Sequence, residues 1–109
     1  MIQDDELCDV FHALGDRTRL EIVRLVSRDD HTVLELASRF DMSQPAVTKH
    51  LGVLERAGLI ARIKEGRYRR CRGKREPIER ANEWLGQIDE YWNSRLDRSE
   101  ELLDDDDAT

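Results

Sequence analysis

One stretch of the chain, DMSQPAVTKHLGVLERAGLI from Asp41 to Ile60, places polar and cationic side chains at helical spacing. Counted at 100° per residue, its apolar residues fall on one side of a helix and its polar residues on the other. Gln44 can pair with adenine at N6 and N7, and Thr48 offers a hydroxyl and a methyl group. Hydroxyls, cations and a helix N-terminus suit phosphate oxygens. The residues that we predict to contact nucleic acid from this helix are Ser43, Gln44, Pro45, Thr48, Lys49 and Arg56.

The distribution of charge decides whether an acidic chain can bind nucleic acid. The 109 residues carry a net charge of −6. The segment from Ser43 to Arg75, however, contains ten basic residues and only two acidic ones, Glu55 and Glu65. Its net charge is therefore +8, and that of the remainder is −14. Electrostatic binding follows the local patch more than the total. The sequence therefore predicts one strongly basic surface on an acidic protein.

Much of that basic charge lies in LIARIKEGRYRRCRG, directly after the helix. Apolar and polar residues alternate from Leu59 to Lys64, Glu65-Gly66 is a turn signal, and the chain returns from Tyr68 to Arg72. This pattern predicts a two-stranded hairpin. Its cations are expected to follow a phosphate backbone or a minor groove. We predict contacts from Arg62, Lys64, Arg67 and Arg69, with Arg70 beside them.

Four helices are predicted before the hairpin. The first covers residues 4–14, and Asp16 caps a second that covers residues 17–27. Thr32 and Glu35 fit a capping box that opens a third helix ending at Phe40. Ser43 caps the fourth, and Gly58 supplies its left-handed stop. A short helix, a tight turn and a capped second helix form a helix-turn-helix, and the hairpin that follows forms a wing.

A long helix over residues 77–103 closes the predicted domain, which covers residues 1–103, and residues 104–109 are expected to form an acidic disordered tail. The helix is roughly 40 Å long, more than a domain this small can cover. Its apolar stripe, which Leu102 would extend, therefore predicts a partner helix, most simply from a second copy. The residues predicted at this interface are Leu7, Phe11, Ile78, Ala81, Leu85, Ile88, Trp92 and Leu96.

Composition excludes several other classes of protein. No run of 18 apolar residues exists, and the acidic N-terminus lacks the features of a signal peptide, so we expect a cytoplasmic location. The two cysteines give neither a disulfide framework nor a CxxC metal site. The three histidines are scattered, and no catalytic triad or glycine-rich phosphate loop is present, so an enzyme is not expected.

Three residues leave an alternative open. Cys8 and His12, with Asp4, form one stripe on the first helix at a spacing that metal ligands can use. Cys71 lies in or beside the wing, where neighbouring arginines would lower its pKa and favour oxidation. A redox- or metal-responsive regulator using Cys8, His12 and Cys71 is therefore one alternative, although a solvated helix face and an ordinary wing cysteine are favoured. His50 is on the inner side of the fourth helix, where packing is favoured over metal ligation.

The segments FHALGDRTRLEIVRLV and TVLELASRFDMSQPAVTKHLGVLERAGLIARIKEGRYRRCR resemble the ArsR/SmtB family of winged helix-turn-helix repressors. The resemblance covers residues 7–72 and is followed by a long helix where the family has its dimerisation helix. It implies a mainly α fold with a small β-hairpin in the order α-α-α-α-β-β-α. It also implies a homodimer that binds double-stranded DNA at a palindromic operator and is released by an inducer.

The sensing residues of that family are largely missing. The positions that resemble the family's Cys-x-Cys hold Thr32 and Leu34, and the last helix contains no histidine. We therefore predict no metal site and no cofactor, and the effector, a small molecule or another protein, stays open. The second function class that we weigh is a winged-helix protein-interaction module without DNA binding, which would have no need for the +8 segment.

Overall fold

Apolar residues that recur every three or four positions in the first four helices form most of the core of the protein. The structure is a computed structural model that describes the backbone of residues 2–108 and the side chains of residues 5–97. The buried core residues include Ile22, Leu36, Val47, Leu51 and Leu54, each fully enclosed. These are the positions at which the helical periodicity of the sequence places an inward face.

The order of elements confirms the predicted mainly α fold with a small β-sheet and adds one strand to it. The elements are α1 (Ile2–Leu14), α2 (Arg17–Arg28), β1 (His31–Thr32), α3 (Val33–Phe40), α4 (Gln44–Arg56), β2 (Ile60–Glu65), β3 (Tyr68–Gly73) and α5 (Arg75–Ala108).

The starts of α2, α3 and α4 lie where the sequence predicted them, because each is set by a local cap, whereas α1 begins at Ile2, two residues before its predicted start. The Asp16 carboxylate accepts a hydrogen bond from the Arg19 amide at 3.0 Å. Thr32 and Glu35 form the complete capping box, and the Ser43 hydroxyl accepts from the Ala46 amide at 3.2 Å. Each such cap satisfies an amide that has no partner within its helix. The short turn between α3 and α4 begins at Asp41, whose φ of 52° is left-handed.

The predicted hairpin is confirmed and belongs to a three-stranded antiparallel sheet in the order β1-β3-β2. Gly66 lies in the turn of the hairpin with a φ of 57°, in the left-handed region that glycine adopts at little cost. The sequence predicted no strand in the turn between α2 and α3. His31 pairs with Cys71 and Thr32 with Arg70, so a two-residue strand ties this turn to the wing. A strand so short has no periodicity of its own and depends on a partner forty residues away.

The last helix is longer than predicted. It begins at Arg75 rather than at residue 77, which leaves Pro77 in its first turn, where proline is tolerated. As described it continues to Ala108, beyond the predicted end at residue 103. Leu102 and the acidic tail at 104–109 lie outside the described side chains, so the tail stays a prediction. Among the described residues, no helix is both long enough and apolar enough to cross a membrane.

The apolar stripe predicted along α5 divides into two faces. One face packs within the protomer: Ala81 is only 5% exposed, and the Trp84 ring meets Phe11 of α1 edge-on at 5.5 Å between centroids. Leu7 and Phe11 are partly buried in the same region, and so they are only partly available to a partner. Its own protomer therefore encloses Ala81 and leaves little of this side chain for the predicted contact with a partner. The other face meets solvent through Ile78, Leu85, Trp92 and Leu96.

Candidate nucleic-acid interface

The buried residues of α4 determine which of its side chains point outward. Val47, Leu51 and Leu54 are fully buried, so the opposite side of the helix is the surface. Every residue predicted to contact nucleic acid from this helix is exposed, including Ser43, which caps its N-terminus and does not lie on its outer side. These residues are Ser43, Gln44, Pro45, Thr48, Lys49 and Arg56.

A groove joins this helix to the wing. Gln44 and Thr48 of α4 line it on one side, and Arg67 and Arg69 of the wing line it on the other. The groove has a volume of about 250 Å³ and is open to solvent. The fold thus brings predicted hydrogen-bonding groups from one element beside predicted cations from another, 19 to 25 residues away in the sequence.

Two exposed residues of the groove were missed by sequence reasoning. Tyr68 in the wing is 56% exposed, and Leu34 at the start of α3 is 51% exposed. Both side chains line the groove beside the hydrogen-bonding groups of Gln44 and Thr48, where an exposed apolar or aromatic surface can contact a ligand. The position of Tyr68 beside the Gly66 turn was a signal that could have identified it. Leu34 had no comparable signal, because the predicted contact residues that line the groove with it lie on α4 and the wing.

Three wing arginines are already paired within the protein. Arg62 donates to both carboxylate oxygens of Glu55, at 3.2 Å from Nε and 3.0 Å from Nη2. Arg70 donates to Glu65 at 2.7 Å, and Arg72 to Asp30 at 2.7 Å. The hydrogen bonds from Arg62 lower the pKa of Glu55 below its ordinary value.

Consequently the predicted wing contacts fall into two groups. Lys64, Arg67 and Arg69 are exposed and have no ion-pair partner among the described side chains. Arg62 differs, since its side chain is only 19% exposed and its charge is matched by Glu55. The free wing cations, which we define as Lys64, Arg67 and Arg69, are therefore the ones left available to a phosphate backbone.

His50 connects α4 to the start of α2. Its Nδ1 lies 3.7 Å from the carboxylate of Asp16, and the pair is ionic when the imidazole is protonated. The backbone amide of Arg19 is the main cause of the lowered pKa of Asp16, and His50 contributes less. His50 thus sits against the cap of a neighbouring helix, which agrees with the packing role favoured from the sequence.

The expectation that nearby arginines lower the pKa of Cys71 was wrong. Cys71 is fully buried in β3, and burial raises the pKa of its thiol from 9.0 to about 11, against a smaller opposing effect of Arg62. A neutral, enclosed thiol is a poor nucleophile. Cys8 and His12 are exposed on α1, and Asp4 lies outside the described side chains. Within residues 5–97, no three His, Cys, Asp or Glu side chains come close enough together to hold a metal ion.

Comparisons with known proteins agree with this geometry. A helix-turn-helix domain model matches residues 14–63. The HTH-type transcriptional regulator YuzN of Bacillus subtilis is 40% identical over 77 residues, which are 64% of this chain and 84% of that protein. The transcriptional repressor SdpR of the same organism is 33% identical over 60 residues, which are 55% of this chain and 67% of that protein. The arsenical resistance operon repressor of Escherichia coli is 38% identical over 60 residues, 54% of this chain and 51% of its own length.

Two solved structures of similar proteins cover a larger share of the chain. An ArsR family transcriptional regulator is 40% identical with a TM-score of 0.77, covering 84% of this chain and 94% of that one. An ArsR-like transcriptional regulator from Rhodococcus sp. RHA1 is 34% identical with a TM-score of 0.81, covering 92% of each chain.

The two cysteines should differ in their reactivity toward iodoacetamide. At pH 8 we expect Cys8 to be alkylated readily and Cys71 to be protected until the protein unfolds, because only Cys8 is exposed. Because the folded-state pKa of Cys71 is raised, its neutral burial adds stability below about pH 9, and that contribution is lost as the pH rises toward 11. Mass spectrometry after timed labelling, with and without urea, measures both sites. Equal labelling rates in the folded protein would contradict the buried position of Cys71.

Proposed function

The chain belongs to the ArsR family of winged helix-turn-helix transcriptional regulators, and we propose that it acts as a homodimeric repressor at a palindromic operator. As a member of this family it is a DNA-binding regulator of transcription and not an enzyme. The repressor role is proposed from the similarity to SdpR, which is a transcriptional repressor. A cytoplasmic location is part of the same proposal.

The groove between α4 and the wing is the single observation that best supports the mode of binding. A major groove is about 12 Å wide and admits an α-helix. With α4 seated there, Gln44 and Thr48 on its first turns would meet base edges. The free wing cations would then lie against the adjacent phosphates or minor groove. Ser43 and the N-terminus of α4 would bind a phosphate, since its first amides point outward and favour anions.

The local charge supports the same orientation. The segment from Ser43 to Arg75 is +8 by sequence, and pairing of Arg62, Arg70 and Arg72 leaves exposed positive charge mainly on α4 and the wing hairpin. Acidic residues of α1, such as Asp5, Glu6 and Asp9, lie on a different helix from these cations. A steering field of this kind raises the association rate with DNA and orients the protein during its approach.

A second copy is the partner that best fits the free face of α5. Ile78, Leu85, Trp92 and Leu96 recur at helical spacing and are between 37% and 58% exposed. No described part of the protomer covers this stripe, and continuous apolar surface of this kind marks an interface. A twofold dimer would present two α4 helices, and a palindromic operator mirrors that symmetry, with half-sites about 34 Å apart.

Selection of binding sequences from a random DNA library tests the whole proposal. We expect an inverted repeat to be enriched, and we expect Gln44→Ala to relax preference at one base pair per half-site at a cost of about 1–3 kcal/mol. Enrichment of direct repeats or of no sequence would contradict the palindromic repressor. Unchanged discrimination in the Gln44→Ala variant would remove Gln44 from the base contacts.

Arg67→Ala should weaken binding to all DNA sequences and make the salt dependence of binding shallower by about one unit, because one phosphate contact is lost. The matched control is Arg72→Ala. Arg72 is also an exposed arginine, with 58% of its side chain exposed, but its guanidinium donates to Asp30. We expect the control to change the slope much less. Fluorescence anisotropy over a salt series measures the slopes. Equal slopes for both variants would mean that Arg67 does not contact a phosphate.

Leu85→Asp should produce a monomer, because it places a charge at the centre of the free stripe on α5. Gln87→Asp is the matched control, since Gln87 is exposed on the opposite side of the same helix. Sedimentation velocity gives the mass of each variant, and gel shift with the selected operator gives the affinity. A Leu85→Asp variant that stays dimeric would contradict this interface, and a monomer with full operator affinity would show that binding needs no dimer.

A further inference from the structure

The paired side chains of Glu55 and Arg62 connect the end of α4 to the first strand of the wing. We propose that this ion pair is a brace that fixes the angle of the wing relative to α4, so that Arg62 is a positioning residue and not a phosphate contact. The inference rests on the proposed function for its effect on DNA binding, while the brace itself is a property of the free protein.

The geometry of the pair is suited to holding an angle. Both oxygens of Glu55 accept hydrogen bonds from Arg62, at 3.2 and 3.0 Å, which is the fork-to-fork arrangement of guanidinium and carboxylate. Two parallel bonds restrict rotation as well as distance. Arg62 is largely enclosed, with 19% of its side chain exposed, and Glu55 is 42% exposed. The pair is therefore better ordered than an ion pair between two fully solvated side chains.

The apolar core holds only the base of the wing. Leu59 and Ile60 are buried where β2 begins, and Cys71 is buried on the returning strand. Beyond them, the residues from Lys64 to Arg69 are all exposed. Arg62 lies between these two regions and joins β2 to Glu55 near the end of α4. A contact there controls the direction of the exposed tip more than a contact nearer the base would.

The brace also counteracts charge repulsion between cations of the wing and cations of α4. In the pairing register Arg62 faces Cys71 and Lys64 faces Arg69, so that three cations share one side of the hairpin. Glu55 lines a shallow cleft with all three: Arg62, Lys64 and Arg69. Lys49 and Arg56 of α4 carry the same sign of charge. Among the residues lining that cleft, Glu55 supplies the only negative charge, and without it the wing and α4 would repel each other.

Positioning of the wing by the brace and simple electrostatics predict different effects of removing Glu55 on DNA binding. Removing Glu55 takes a negative charge from the DNA-facing side, which by simple electrostatics strengthens binding to every sequence. If the pair positions the wing, its loss instead reduces the preference for the operator, because the free wing cations no longer meet their phosphates in register with α4. The ratio of operator affinity to non-specific affinity separates these two effects.

The DNA experiment compares Glu55→Met and Arg62→Met with Lys64→Met in the full-length chain, using the selected operator and a scrambled duplex of equal length. We expect the affinity ratio to fall about fivefold in the Glu55→Met and Arg62→Met variants, and no further in the double variant, since each breaks the same pair. Lys64→Met should weaken both duplexes equally and make the salt slope shallower by about 0.9, with the ratio unchanged. A ratio that is unchanged or raised in Glu55→Met would overturn the brace.

A measurement without DNA separates this inference from the proposed function. In the wild-type protein, one alignment tensor should fit the amide residual dipolar couplings of both α4 and the β2–β3 hairpin. We expect the hairpin couplings to depart from that fit in Glu55→Met and Arg62→Met and to keep it in Lys64→Met. If the wild type shows no operator preference, the proposed function fails and these couplings still decide the brace. Couplings that keep the common fit in all three variants would show that the core alone positions the wing.

Discussion

Burial of one face of α4 is the constraint on which the rest of the site depends. Val47, Leu51 and Leu54 each lose nearly all contact with water, and each such side chain contributes about 1.5–3 kcal/mol to folding. A rotation of the helix by a quarter turn would expose part of this set and bury Thr48 or Lys49. The rotation of α4, and with it the direction of Gln44, is therefore fixed by the core and not by any contact at the surface.

The same constraint explains how an acidic protein presents a basic surface. Once the inner face of α4 is committed to the core, its cations have only the outer face to occupy, and the wing follows within a few residues at Leu59 and Ile60. Carboxylates of the same chain then neutralise the charge of three arginines. Glu55, Glu65 and Asp30 each hold one, so the excess positive charge is concentrated on the side chains that have no partner of their own among the described residues. The net charge of −6 describes the whole chain and does not describe this surface.

What the sequence could predict follows from the range of the interactions involved. The caps at Asp16, Thr32 and Ser43 bond to amides three residues away, so their residue types alone located the helix starts. The exposure of the residues of α4 that were predicted to contact DNA followed from periodicity. The strand β1 and the pairing of Arg72 with Asp30 depend on contacts across 38 to 42 positions of the sequence. The raised pKa of Cys71 depends on burial by distant elements. Local patterns carry no information about such contacts, which is why these were missed or mistaken.

The last helix shows why a correct periodic pattern can still give an incomplete interface. A single stripe with spacings of three and four residues spreads over a wide arc of a 3.6-residue helix, enough for two neighbours. In this chain α1 takes one side of the arc through Ala81 and Trp84, and Leu85 and Trp92 remain on the other. A partner that covers this second side would bury a helix whose first side is already part of the protomer's core. Dimerisation on α5 would therefore be rigidly connected to α1 and, through the core, to the orientation of α4. Such a dimer would set the spacing of two DNA-facing helices with little flexibility between them, which is the property that recognition of two half-sites requires.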